Sequence, residues 1–139
     1  MDLHDALAFA TARRNAILTT LRRDGRPQQS MIFYRLEEGV ATISLTADRA
    51  KTKNLTRDPR ATLFIPGDHV FSWVCLDGTV ALSPVATDPH DAVVEELVAY
   101  YRAANGEHED WDSFRAAMVA EGRLVAHFTA TSATGLLGD

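Results

Sequence analysis

Two tight-turn signals in the N-terminal third, Asp24-Gly25 and Glu37-Glu38-Gly39, do the most to constrain this fold. Glycine supplies the positive φ that short hairpin turns need. The flanking segments, Ala16–Leu21, Pro27 to about Leu36 and Val40–Leu45, are rich in Ile, Leu, Val and Thr. Three strands joined by two tight turns predict an antiparallel meander. Upstream, Asp2 is placed to cap a helix in which Leu3, Ala6, Leu7 and Ala10 share a face, ending near Arg14. Downstream, Arg49–Arg57 reads as a short helix stopped by Pro59, and Arg60–Ile65 as a strand closed by Pro66-Gly67. Phe71–Val85 is β-prone but interrupted by Asp77-Gly78, which fits either a hairpin or a bulge in one long strand.

The period then changes. Asp88 followed by Pro89 is a helix-start signal, and Val93, Val94, Leu97, Val98 and Tyr101 form an apolar stripe that Gly106 ends. A second helix runs from Trp111 to Glu121 and stops at Gly122, and Leu124–Thr131 alternates as a final strand. There is no internal repeat, low-complexity run or linker. A chain of 139 residues that is 46% hydrophobic and 24% charged has the size and composition of one globular domain. The expectation is a single α+β domain over residues 1–139, a barrel-like antiparallel sheet with flanking helices. The single cysteine rules out an internal disulfide framework, the first residues lack a secretory pattern, and the apolar runs are short for a bilayer. A cytoplasmic protein with no membrane span is therefore expected.

The net charge of −5 conceals an asymmetry. Residues 13–60 carry eleven bases against five acids, whereas residues 61–139 carry three bases against twelve acids. A basic half on an acidic protein points to a local anion site more than to a polyanion-binding surface. Nucleic-acid binding fits poorly, because no recognised module accompanies the bases. Nucleophile and metal motifs are missing: there is no HExxH, CxxC, EF-hand loop, G-x-S-x-G, Walker loop or G-x-G-x-x-G. The five histidines lack metal-ligand spacing, His108 reads as part of a hydrated acidic loop, and Cys75 as a buried structural thiol.

The strongest anomaly is the segment from Ser44 to Leu55, where a strand gives way to a helix. Asp48 or Thr46 is the expected N-cap. Arg49, Lys51 and Lys53 then crowd cations toward the positive end of the helix dipole, each costing roughly 0.3–1 kcal/mol. Free backbone N–H groups, hydroxyls and cations together make a cradle for phosphate or carboxylate. The alternative is that these side chains splay into water. Gln28 and Ser30 alternate with Ile32 and Tyr34 on one strand face and could hydrogen-bond an amide-rich heterocycle, or else face water. Phe71 and Trp73 share a face of their strand, fitted to stack on a flat ring or to join the core.

Arg23-Asp24-Gly25-Arg26-Pro27-Gln28, then Ser44, then Arg49-Ala50-Lys51-Thr52-Lys53-Asn54-Leu55-Thr56-Arg57-Asp58-Pro59-Arg60, resembles the actinobacterial deazaflavin-dependent reductases of the pyridoxamine 5′-phosphate oxidase-like superfamily, the FMN-binding split barrels. The segment Asn105–Asp112 is similar as well. The resemblance implies a split β-barrel homodimer that holds coenzyme F-420, an 8-hydroxy-5-deazaflavin with a phosphate and an oligoglutamate tail, at its interface. It implies that Arg49 and Lys51 bind phosphate with Ser44, Leu45 and Ala50 beside them, and that Gln28 and Ser30 lie along the ring. It also implies that Phe71, Trp73 and Val74 line the groove, from the same or the partner subunit, that Asn54 contacts the cofactor or braces the helix, and that Arg57 and Arg60 meet the tail. Lys53 stands where many relatives carry Arg, and the ending Gly135-Leu136-Leu137-Gly138-Asp139 lacks the basic signature of relatives that oxidise pyridoxamine phosphate. The implied activity is hydride transfer from reduced F-420 to an electron-poor small-molecule acceptor, with no catalytic side chain of its own. FMN in the same cradle, or a non-catalytic carrier or sensor of either cofactor, are the alternatives.

Overall fold

Tyr34 decides the topology. The computed structural model describes residues 1–138, and among them the chain runs α1 (Leu3–Thr11), β1 (Asn15–Leu21), β2 (Pro27–Phe33), β3 (Arg35–Glu37), β4 (Val40–Thr46), α2 (Ala50–Arg57), β5 (Arg60–Pro66), β6 (Ser72–Leu82), α3 (Ala92–Asn105), α4 (Trp111–Ala120) and β7 (Arg123–Leu137). The strands form one antiparallel sheet in the order β2-β1-β5-β6-β7-β4-β3. β2 and β3 follow one another in the chain with only Tyr34 between them, yet they occupy opposite edges of the sheet. The sheet must therefore curl until its edges approach, which makes a barrel split between β2 and β4.

The expected three-stranded meander does not form. Its middle strand breaks at Tyr34, which is 3% exposed, donates its hydroxyl to the Ala10 carbonyl (2.6 Å) and its backbone N–H to the Arg14 carbonyl (2.9 Å). The hydroxyl bond ties Tyr34 to α1, while its N–H bond to Arg14 is the last pair in the β1 register, beyond which β1 offers no further edge and the chain passes to β3. β4 then pairs with β3 for three residues and with β7 along its whole length.

Asp77-Gly78 lies inside one long β6, at a bulge in the β6–β7 ladder where Thr131 of β7 is the unpaired residue. A Cβ at Gly78 would sit 2.1 Å from the Thr129 carbonyl oxygen, so only glycine lets the two backbones approach here. β7 runs to Leu137, past the expected end at Thr131, because its C-terminal half ladders onto β6. α3 begins at Ala92 instead of near Pro89. Asp91 is the cap, its Oδ1 accepting from the Val94 N–H (2.9 Å), while Asp88 accepts from His90 N–H in the turn before. α1 ends at Thr11, a little short of Arg14, and Asp2 caps it as expected.

The barrel interior holds Leu18, Ile43, Leu45, Leu63, Val74, Leu76 and Phe128. Val93, Val94, Leu97, Val98 and Met118 form a second cluster with Val125, so α3 and α4 cover the outer face of β7. The outer face of β2-β1-β5-β6 differs. Met31, Ile17, Phe64 and Cys75 stand in register across it, and Met31 is 63% exposed. Cys75 is thus half-buried on this outer face, not in the core, and partial burial pushes its thiol up. His108 is not a hydrated loop residue either: it packs among Tyr101, Trp111 and Phe114, with Nδ1 accepting from Asp110 N–H. No helix among the described residues is long and apolar enough to cross a membrane.

Candidate functional site

The strand-to-helix turn after β4 carries the cations. Neither Asp48 nor Thr46 caps α2. Arg49 occupies the cap position in an extended conformation with no side-chain cap bond, and no acid lies in the first turn. The Thr46 carbonyl instead accepts from Thr52 Oγ1 (2.7 Å), which fixes the helix start against the strand end. Arg49, Ala50 and Lys53 are exposed. Lys51 lies one turn before buried Leu55 and is drawn inward, with Nζ 3.3 Å from Ser30 Oγ on β2. Its ammonium is held below the ordinary lysine value, first by burial and then by the charges of Arg49 and Arg123.

Arg123, the first residue of β7, meets this turn through a backbone clasp. Ala47 N–H donates to the Gly122 carbonyl (2.9 Å), and Arg123 pairs in register with Thr46. Its Nη1 is 3.4 Å from Ser44 Oγ and its Nη2 is 3.3 Å from Glu121 Oε1. Its Nε is buried without a partner among the described residues.

These groups border a cavity of about 400 Å³ at the split of the barrel. Met31, Ile32 and Phe33 of β2 form one wall, Ser44, Lys51, Glu121 and Arg123 the polar part, and Leu97, Tyr100, Tyr101, Phe114 and Met118 of α3 and α4 the far wall. Burial pushes the Tyr100 hydroxyl above the ordinary tyrosine value. Of the residues singled out in the sequence, the structure brings Ser44 and Lys51 into this cavity and Ser30 to its edge, with exposed Arg49 at the mouth of the helix. Arg123, Glu121 and the helical wall were missed. An arginine directly after the glycine that ends a helix, one of three bases beyond residue 60, is the signal that could have drawn attention to Arg123.

The remaining candidates lie elsewhere. Leu45 is 1% and Val74 0% exposed, so both side chains belong to the core and only their backbones could meet a ligand. Asn54 is buried, its Nδ2 donating to Thr20 Oγ1 (3.1 Å), and Thr20 Oγ1 donates to Gln28 Oε1 (3.3 Å). Arg57 donates to the Leu21 carbonyl (2.5 Å) and to Asn54 Oδ1 (3.2 Å). Arg60 is ion-paired with Asp58 at 2.8 Å and borders a separate hollow with Thr62, Asp77 and Thr131. Phe71 falls just outside β6 and is 65% exposed, while Trp73 stacks on Phe64 with centroids 5.5 Å apart. Trp73 lines another hollow with His69 and Val70, apart from the Lys51 cavity within one chain.

Among solved structures, an F420 reductase matches with a TM-score of 0.64 at 20% identity, over 87% of this chain and 89% of that one. A conserved hypothetical protein from Mycobacterium tuberculosis matches with a TM-score of 0.72 at 20% identity, over 96% and 82%. A pyridoxamine 5′-phosphate oxidase-related, FMN-binding protein from Nostoc punctiforme matches with a TM-score of 0.63 at 15% identity, over 94% and 80%. At these identities the likeness is one of fold. The sequence itself matches the pyridoxamine 5′-phosphate oxidase family over residues 3–134. With a split antiparallel barrel, flanking helices and a family match spanning nearly its whole length, the chain belongs to the pyridoxamine 5′-phosphate oxidase family.

Proposed function

We propose that this protein is a flavin-type oxidoreductase that uses coenzyme F-420 to reduce an electron-poor small molecule such as an enone, quinone, nitro compound or tetrapyrrole. The observation that carries the reading is the cationic corner of the split. Among the described residues, half-buried Lys51 has only a serine hydroxyl as partner and Arg123 Nε has no acceptor, and both side chains face one cavity with an apolar wall. Buried donors without acceptors are costly, and a phosphate would answer them. Arg49, Lys51 and Ser44 are the residues to hold that phosphate, with Ser30 orienting Lys51.

The ring would lie along the split. β2 is hydrogen-bonded to a strand on one side only, and β4 beyond Thr42 has no β3 partner, so both present backbone donors and acceptors to the opening. Gln28 is placed on the inward face of β2. A bound deazaflavin supplies the hydride. The chain binds and orients the cofactor and excludes water, which is consistent with the absence of nucleophile and metal motifs. A homodimer is part of the proposal: the bare row of Met31, Ile17, Phe64 and Cys75 is apolar surface of the kind a second copy covers. That copy would bring Phe71 and Trp73 to the groove.

FMN is the second reading, favoured by one observation. Arg57 and Arg60, the residues assigned to the oligoglutamate tail, already have intramolecular partners. The deciding measurement is parallel titration of the purified protein with F-420 and FMN, then an acceptor screen with the reduced cofactor. Arg49→Ala and Lys51→Ala should each lower cofactor affinity at least tenfold, since a charge-assisted bond contributes about 1.5–3 kcal/mol. Unchanged affinity in both overturns the cradle. Tight binding without turnover across the panel makes the protein a carrier or sensor.

A further inference from the structure

We infer that Arg123, at the start of the last strand, is a third cationic ligand of the anion site, and that Glu121 holds the place the anion takes. The inference rests on the phosphate role proposed above for Lys51 and adds a residue from the opposite end of the chain. Arg123 is held by its carboxylate more loosely than Arg115 or Arg60, and among the described arginine–carboxylate pairs only Arg35–Glu37, at 3.5 Å, is longer. Arg115 meets Glu95 at 2.6 Å and Arg60 meets Asp58 at 2.8 Å, whereas Arg123 meets Glu121 at 3.3 Å through one Nη. Its other contact is the neutral Ser44 hydroxyl at 3.4 Å, and its buried Nε has no partner among the described residues.

A guanidinium presents a fork suited to two oxygens of one acceptor, and here half of the fork is unused. Lys51 lines the same cavity and is likewise bound only to a serine. Two cations facing one hollow repel each other until an anion lies between them. The ligand chemistry that fits is a phosphate ester on an apolar body. Its unesterified oxygens can meet Lys51 and Arg123 at once, and the aromatic wall receives the rest. On binding, Glu121 gives up Arg123 to the phosphate. No bond is made or broken in the ligand.

The test compares each chromophore with and without its 5′-phosphate: FMN against riboflavin, and 8-hydroxy-5-deazariboflavin 5′-phosphate against the unphosphorylated compound. A third arm measures the rise in Tm with inorganic phosphate alone. Arg123→Gln should reduce the preference for the phosphorylated member at least tenfold and abolish the phosphate-induced rise in Tm, while leaving the affinity for the unphosphorylated member within twofold. Arg123→Lys should recover part of the preference. Glu121→Gln should strengthen it, an effect that loss of a merely structural contact would not produce. A preference in Arg123→Gln and Arg123→Lys equal to that of the unaltered protein overturns the role of Arg123 and leaves Lys51 in place. No preference and no phosphate response in the unaltered protein overturns both readings.

Discussion

The run of bases from Arg49 to Arg60 looks uniform in sequence, and the fold divides it into two regions of opposite character. On one side, Lys51 and its distant companion Arg123 face a hollow with serine hydroxyls and a loosely held glutamate for company. On the other, Arg57, Asn54, Thr20 and Gln28 form a closed chain of hydrogen bonds that ties α2 to β1 and β2, and Arg60 is paired with Asp58. Density of positive charge is the same in both. What distinguishes a binding corner from a brace is whether the donors have acceptors within the chain. The first region retains unmet hydrogen-bonding capacity that a ligand can use, and the second spends that capacity on the fold.

Lys51→Met should show the largest effect, and it falls on binding. Affinity for the phosphorylated cofactor should drop tenfold or more, corresponding to about 1.5–3 kcal/mol. The Tm of the ligand-free protein should be unchanged or higher, because burial already disfavours the ammonium there. A large fall in Tm would place Lys51 among the braces and remove the distinction between the two regions.

Asn54→Ala should do the reverse. Removing a buried amide leaves Thr20 Oγ1 without its donor and Arg57 without one acceptor, at a cost of about 2 kcal/mol in folding stability, read by denaturant unfolding. The preference for phosphorylated over unphosphorylated cofactor should be retained. Its loss would return Asn54 from bracing to direct contact.

The same contrast explains how far the sequence could be read. Ser44, Arg49 and Lys51 lie on one continuous strand–turn–helix, so local rules about helix dipoles found them. Arg123 joins them through the β4–β7 ladder and the Ala47–Gly122 bond just beyond its end, contacts between segments far apart in the chain that no local pattern encodes. The strands and helices were largely legible because their periodicity is local. Their order was not. Tyr34 is a good strand former, and β2 ends there because its β1 partner ends: the Tyr34 N–H still reaches the Arg14 carbonyl in the β1 register, and the hydroxyl is anchored on the Ala10 carbonyl of α1. Asp88-Pro89 has the composition of a helix start, but Asp91 wins because its carboxylate reaches Val94 N–H as well as the N–H groups of Thr87 and Asp88. The far half of β7, Ala130–Gly135, is small and polar, and it becomes strand because β6 offers a complete partner edge.

A smaller effect separates the regions by pH. Lys51 titrates below its ordinary value of 10.5, so the folded ligand-free protein gives up this proton more readily than the unfolded chain. In that window the unfolded state binds more protons, and the penalty for burying the charge is relieved as pH rises. Phosphate preference should run the other way, declining as Lys51 loses its charge at a pH below that of a free lysine. Lys51→Arg should hold the preference flat across the same range, since arginine does not titrate there. A decline unchanged in Lys51→Arg would assign the titration to another group.

The smallest effect belongs to Asp58 and Arg60. The side-chain and backbone hydrogen bonds from Arg60 hold the Asp58 carboxyl down to about 2, from an ordinary 3.8. A carboxylate with a depressed value adds stability that is present above its unfolded value and lost as pH falls toward the folded one. The loss therefore lies between about pH 4 and pH 2. Arg60 is 71% exposed on its side chain, so solvent screens the pair and its contribution is slight. Asp58→Asn should flatten that part of the acid-unfolding curve without changing affinity for FMN. For F-420 the same substitution frees the Arg60 guanidinium, so tighter F-420 binding in Asp58→Asn would mean that the tail reaches Arg60 after all. Equal binding in both proteins would leave Arg60 with the fold.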